Sequence, residues 1–359
     1  MNESPSTHID AIRLRPAMYV GSTSVYGFNH LLLGIFRYAV DYLKAKEFSF
    51  RVTGKMSGEI AFSNMGSLFN DNVLIEQVEP PPTQQFGVYE IAALNALSSS
   101  FQTQIEIVDE STRTIEFSKG VCRSGIIAKE DLRASKISIF FELDTSIWAL
   151  DSYLYPYFYL DFLQTLAFLN KGKSIGFGFG RDDRDSAVRF EFEGGLSDLL
   201  EIKRLSSIYG SFYFPTSLEI DSDSFTAEIA FGFWGNSINI PYQASFVNHE
   251  RSQENGVHFD SVFTGVHSAI NTYFAKGMSA NEDDAISETA ISRSLNCLVH
   301  VKMARPVFEG SIKGKLLSPE IAKPIIEAVR AELWRKMNTS RPQADELIRH
   351  LSRNWKLNA

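Results

Sequence analysis

The sequence predicts an α+β protein of two domains, and three observations carry that prediction. Stretches with helical spacing of apolar residues are interspersed with short runs in which apolar and polar residues alternate, as strands do. In the N-terminal half their order is helix, strand pair, loop, helix and strand meander, the order of a sheet with its helices on one face. The chain has 359 residues, 44% apolar and 22% charged, an ordinary globular balance, and at about 150 residues per domain it is long enough for two cores.

Taken in order, the first helix is expected over residues 28–46, where Leu31, Leu32, Ile35, Ala39 and Leu43 keep close to a helical period. Strands follow at 48–52 and 59–62. A loop then carries Asn64, Met65 and Gly66 and ends in the breaker run Pro80-Pro81-Pro82. A second helix fits 89–100, with strands at 104–108, 114–118 and 137–143. The boundary is placed at 148/149, giving domains 1–148 and 149–359. The second domain is expected to open with a helix at 153–170 and strands at 174–179 and 187–193. Further strands fit 226–233 and 237–242. A long helix at 262–276, a strand at 295–303 and helices at 319–336 and 344–355 complete it.

The bulk chemistry excludes several classes. A formal charge of −8 argues against a sequence-independent DNA binder, although a local basic patch is compatible with it. The moderately basic stretch 330–359 reads first as a solvated helix face. Cys122 and Cys297 are too few for a disulfide framework and fit a reducing compartment. The N-terminus has no signal pattern and no apolar run is long enough to span a bilayer, so a cytoplasmic protein without membrane contact is expected. His249, His258 and His267 lack metal-ligand spacing. The glycines of 176–180 lack the spacing of a dinucleotide fingerprint.

The sharpest motif is Arg13-Leu14-Arg15-Pro16-Ala17-Met18-Tyr19-Val20-Gly21-Ser22. It resembles the R-x-R-P-x-M-Y-[IV]-G-[SD] opening of the ATPase components of type II topoisomerases, the gyrase B and topoisomerase IV B family. The resemblance continues through Gly27-Phe28-Asn29-His30, Asn95-Ala96-Leu97-Ser98, Phe168-Leu169-Asn170, Glu193-Gly194-Gly195, Phe246-Val247-Asn248, Gly256 and His258 to Lys313-Gly314-Lys315-Leu316. It implies a GHKL (Bergerat-type) ATPase α/β sandwich followed by a transducer domain of the ribosomal S5 type. Because the chain stops after the transducer helices, a module without the family's metal-binding and DNA-cleavage portions is expected.

Hydrolysis in such a module needs a carboxylate to orient water, a Mg2+ ligand on the same helix, an acceptor for the adenine amino group, and backbone donors around the phosphates. The resemblance places the base at Gly34, which has no side chain, and the metal ligand at Tyr38, which is bulky and neutral. Arg37 stands where the family has an acid, and only Asp41 keeps the acidic pattern. Close helix packing is the plain alternative for Gly34. The adenine acceptor falls on Asn64, whose amide accepts more weakly than a carboxylate, followed by Gly66 and then Leu68 in place of a second glycine. Ordinary turn chemistry accounts for Asn64 as well. A threonine behind the adenine aligns with Lys136. The phosphate loop keeps one glycine, Gly87, and has Glu90 where its last glycine would admit phosphate. Lys313 matches the transducer lysine sent to the γ-phosphate, but the preceding glutamine of the family is Ser311.

The expectation is therefore a gyrase B-like pseudo-ATPase with no catalytic residue and no metal, acting as a binding, regulatory or scaffold protein. ATP and Mg2+ are cofactors only under the alternative, an ATP-binding clamp module of a type II DNA topoisomerase-like system with residual nucleotide or DNA binding. Expected partners are a second copy of the chain, paired without nucleotide, or a topoisomerase-related or co-encoded protein. DNA stays open as a ligand.

Overall fold

In a computed structural model, residues 8–76, 89–149, 154–180, 187–206, 210–235, 239–277, 285–310 and 314–356 are described. They form two units, residues 1–193 and 194–359.

The first unit opens with three helices, α1 (His8–Leu14), α2 (Pro16–Val20) and α3 (Val25–Arg37). Pro16 begins α2, where a missing N–H costs nothing, and Ser24 caps α3 by accepting the Tyr26 N–H. The strands β1 (Glu47–Val52), β2 (Ser57–Ser63) and the short β3 (Phe69–Asn70) come next. After α4 (Glu90–Ala96) come β4 (Ser98–Ile107), β5 (Arg113–Ser118), β6 (Val121–Ser124), β7 (Asp131–Leu132) and β8 (Ala134–Leu143). Then α5 (Pro156–Phe168), β9 (Ser174–Phe179) and β10 (Ala187–Phe190) close the unit. Eight strands make one sheet in the order β10-β9-β1-β2-β8-β4-β5-β6. Alternation along β1 turns Phe48 and Phe50 onto the face where Phe36 and Phe28 of α3 meet them, with ring centroids 5.0 and 5.8 Å apart.

Three sequence expectations change here. The boundary moves from 148/149 to 193/194, because β9 pairs in parallel with β1, Glu47 opposite Ser174 and Val52 opposite Phe179. Helix α5 and strands β9 and β10 therefore complete the first unit rather than open the second. The helix expected over 28–46 is α-helical only to Arg37 and widens into a π turn at Tyr38–Tyr42, with the Leu43 N–H bonded to the Tyr38 carbonyl. The helix expected over 89–100 stops at Ala96, and β4 starts at Ser98.

Arg13 accounts for part of the N-terminal motif. Its guanidinium donates to the Ala96 carbonyl (2.6 Å) and to Asp144 (2.8 Å), tying α1 to the end of α4 and to the residue after β8. Burial works against the Asp144 charge, but bonds from Ser146 and Arg13 and the nearby Lys119 hold its carboxyl well below the usual range.

The second unit contains α6 (Leu196–Leu205), β11 (Phe212–Asp221), β12 (Thr226–Trp234), β13 (Gln243–Val247) and β14 (Glu250–Arg251). These are followed by α7 (Val257–Gly277), α8 (Glu288–Ser292), β15 (Leu295–Lys302), α9 (Ala322–Thr339) and α10 (Arg341–Lys356). Its sheet runs β11-β12-β15-β13-β14, with β13 parallel to β15 across the α7 connection. The strand expected at 237–242 lies later, at β13, while α6 and β11 are elements the sequence reading passed over. In α9 the buried residues Ile325, Val329, Leu333 and Met337 recur every fourth position and form one stripe. Gly265 in α7 admits close approach of α9, since a Cβ there would lie 2.9 Å from both the Ile326 carbonyl oxygen and Val329.

Among the described residues no helix is long and apolar enough to cross a membrane.

Candidate functional site

Helices α3 and α4 bring together three of the positions that the resemblance marks, Gly34, Arg37 and Glu90. Gly34 lies on α3 and Glu90 is the first residue of α4. A Cβ on Gly34 would stand 2.2 Å from Glu90 Cγ, 2.4 Å from its Cδ and 2.5 Å from its Oε1. The Glu90 side chain thus fills the space a side chain at position 34 would enter. Its carboxyl accepts the Tyr89 N–H at 3.1 Å. Burial pushes the carboxyl toward the protonated form, while bonds from the Glu90 and Tyr89 N–H groups and the charge of Arg37 act the other way.

Arg37 is half-buried and its charge reaches Glu90, so Gly34, Arg37 and Glu90 form one group. Tyr38 is buried at 2% exposure, stacked on Tyr42 (5.2 Å between centroids, 17° between planes) and edge-on to Phe69 (6.4 Å). The π turn makes that stack by bringing residues four apart over one another. Burial first, then Tyr42 and Asp131, raise the Tyr38 hydroxyl far above its ordinary pKa, so it stays neutral. Asp41 is half-buried in the same widened turn.

The other positions stand apart from this group. Asn64 is exposed, with a left-handed φ of 55°, and its N–H bonds the Ser135 carbonyl of β8, continuing the β2–β8 ladder by one residue. Gly66 is also exposed, and its N–H bonds the Leu43 carbonyl at 2.9 Å, pinning the loop to the end of the π turn. Lys136 is opposite Ser63 in the β2–β8 ladder and pairs with Glu106 at 3.7 Å. Its neighbour Ile137 is buried, so strand alternation sends Lys136 to the sheet face away from α3. Gly87, Ser311 and Lys313 lie outside the described residues.

Tertiary structure adds groups that the sequence reading missed. Asp71 is fully buried and accepts from the N–H groups of Ala128 (2.9 Å) and Glu130 (3.3 Å) and from Arg113 (3.4 Å). Those partners lie 42 to 59 positions away, so no local spacing announces them. Tyr19 of the N-terminal motif packs edge-on against both His8 (5.7 Å) and Tyr89 (6.1 Å), a ring cluster beside the start of α4.

Comparison with known proteins agrees with this architecture. Residues 195–357 match the family model of DNA gyrase B. The chain is 25% identical to the DNA gyrase B protein of Streptomyces coelicolor over 386 aligned positions, covering 95% of this chain and 55% of that protein. It is also 25% identical to the DNA gyrase B protein of Campylobacter jejuni, covering 93% of this chain and 45% of that protein. Among solved structures, the 43K ATPase domain of Thermus thermophilus gyrase B superposes with a TM-score of 0.75 at 20% identity, over 97% of this chain and 94% of that one. The gyrase B protein of Myxococcus xanthus gives 0.76 at 18% identity, over 96% of this chain and 99% of that one. The chain spans about half the length of the curated relatives it matches. Its fold is that of these gyrase B structures, as the N-terminal motif implied.

Proposed function

We propose that this gyrase B-like module is a binding or regulatory protein that uses the fold as an interaction surface and hydrolyses no ATP. The observation that carries the reading is the Gly34–Glu90 contact. Position 34 offers no carboxylate to orient water, and the space beside it is filled by a residue of the facing helix. Buried Tyr38 adds to it, because a neutral ring packed between Tyr42 and Phe69 is a poor Mg2+ ligand. Several roles needed for hydrolysis are thus unmet together, and fold alone does not supply them.

Partners follow from the same reading. A second copy of the chain, joined without nucleotide, or a topoisomerase-related or co-encoded protein fits it, with DNA as a further ligand to test. The likeness to gyrase B over 95% of the chain favours one other reading, an ATP-binding clamp module of a type II topoisomerase-like system. Calorimetric titration with ATP and Mg2+ separates the two. Absent or millimolar binding is expected, whereas a micromolar dissociation constant at 1:1 stoichiometry would establish the clamp.

A further inference from the structure

We propose that Glu90 is the residue that excludes phosphates from this pocket, and that position 34 is glycine because Glu90 occupies its side-chain space. The inference deepens the proposed function and rests on it in one respect, that the unaltered protein is closed to nucleotide.

The geometry is that of an exchange between helices. In a glutamate, Cδ lies about 2.5 Å from Cβ, two bonds away. Glu90 Cδ lies 2.4 Å from the Cβ position of residue 34. A carboxyl group is therefore present beside α3, but it is delivered from α4. Arriving from there, it fills the volume between the helices instead of bordering it. It also takes up the Tyr89 N–H, a backbone donor at the start of α4 that a phosphate would need. The positive charge of Arg37 also acts on this carboxyl. Volume and donor are both committed to one side chain. Restoring an acid at position 34 leaves each of them committed; removing the acid at position 90 frees both.

The test compares the full chain with Glu90→Gly, Glu90→Gln, Gly34→Glu and the double variant Gly34→Glu/Glu90→Gly. Inorganic pyrophosphate and ATP, each with Mg2+, are titrated by calorimetry, and melting temperature is recorded throughout. Glu90→Gly and the double variant are expected to bind pyrophosphate about tenfold or more tighter than the unaltered protein, and Gly34→Glu no tighter. Glu90→Gln keeps the volume and loses the charge, so it is expected to gain about threefold, and it carries the test if Glu90→Gly does not fold. Folded variants at position 90 that bind pyrophosphate no better than the unaltered protein would overturn the proposal. Micromolar ATP binding by the unaltered protein would instead overturn the proposed function, while the ratio between Glu90→Gly and the unaltered protein still decides the role of Glu90.

Discussion

The Glu90 side chain lies across the backbone of Gly34, with its Cγ nearest, 2.2 Å from where a side chain at that position would begin. Two helices far apart in sequence therefore share one side-chain volume, and a change at either position is felt at the other.

The first consequence is a reversal of sign. Gly34→Ala forces the Glu90 carboxyl to swing off the Tyr89 N–H, a loss of about 2 kcal/mol for a bond to a charged group. Alanine returns about 1 kcal/mol of helix propensity. The substitution is expected to destabilise by about 1 kcal/mol in the unaltered chain and to stabilise by a similar amount in a Glu90→Gly background. Urea melts of the four proteins give the coupling, and equal effects in both backgrounds would refute the contact.

Gly34→Glu places an acid only where the resemblance to gyrase B implies one. ATP turnover is expected to stay at background, because Glu90 and the buried Tyr38 ring remain in place. A second carboxyl against the first is expected to cost about 1–3 kcal/mol of stability. Turnover well above background in this single variant would show that the pocket admits nucleotide.

Removing the Arg13 guanidinium leaves Asp144 without its closest cationic partner. Arg13→Met is expected to destabilise by about 3 kcal/mol at neutral pH. The Asp144 carboxyl is depressed in the folded chain, so its stabilising contribution is complete above the unfolded carboxylate pKa and fades as pH falls below it. The gap between variant and unaltered protein should therefore narrow below about pH 4. A gap that is constant with pH would point to lost packing alone.

His258 supplies a pH dependence in the second unit. It is fully buried, neither ring nitrogen has a hydrogen-bond partner among the described residues, and burial lowers its pKa from 6.5 to about 4. Between those values the unfolded chain binds the proton and the folded chain does not, so stability rises with pH across this window. The contribution is complete above pH 6.5 and is reduced by about 3 kcal/mol on reaching pH 4. Denaturant melts of His258→Phe should lack this component, and an unchanged pH profile in that variant would assign it to other groups.

Much of the fold was legible because periodicity is local. The apolar spacing of Leu31, Leu32 and Ile35 located α3, and alternation located β1, β2 and β8. The departures came from information that is not local. Parallel pairing of Glu47 with Ser174 moved the domain boundary, and periodicity within either strand could not announce it. The direction of Lys136 depends on strand parity, which the ladder with Ser63 sets. In the site, sequence matching marked Gly34 and Glu90 as separate irregularities. Only tertiary structure shows them as one contact.

The parallel pairing of β1 with β9 also orders events during synthesis. Until residue 179 has left the ribosome, β1 has a partner only on the β2 side and its other edge stays open. An open edge is a template for wrong pairing, and a contact between such distant segments forms slowly because the intervening chain must first be ordered. The first unit therefore completes its sheet only after α5 has been made. A chain cut at residue 148 would carry α3, α4 and the Glu90 contact with a raw β1 edge, and its expected fate is aggregation.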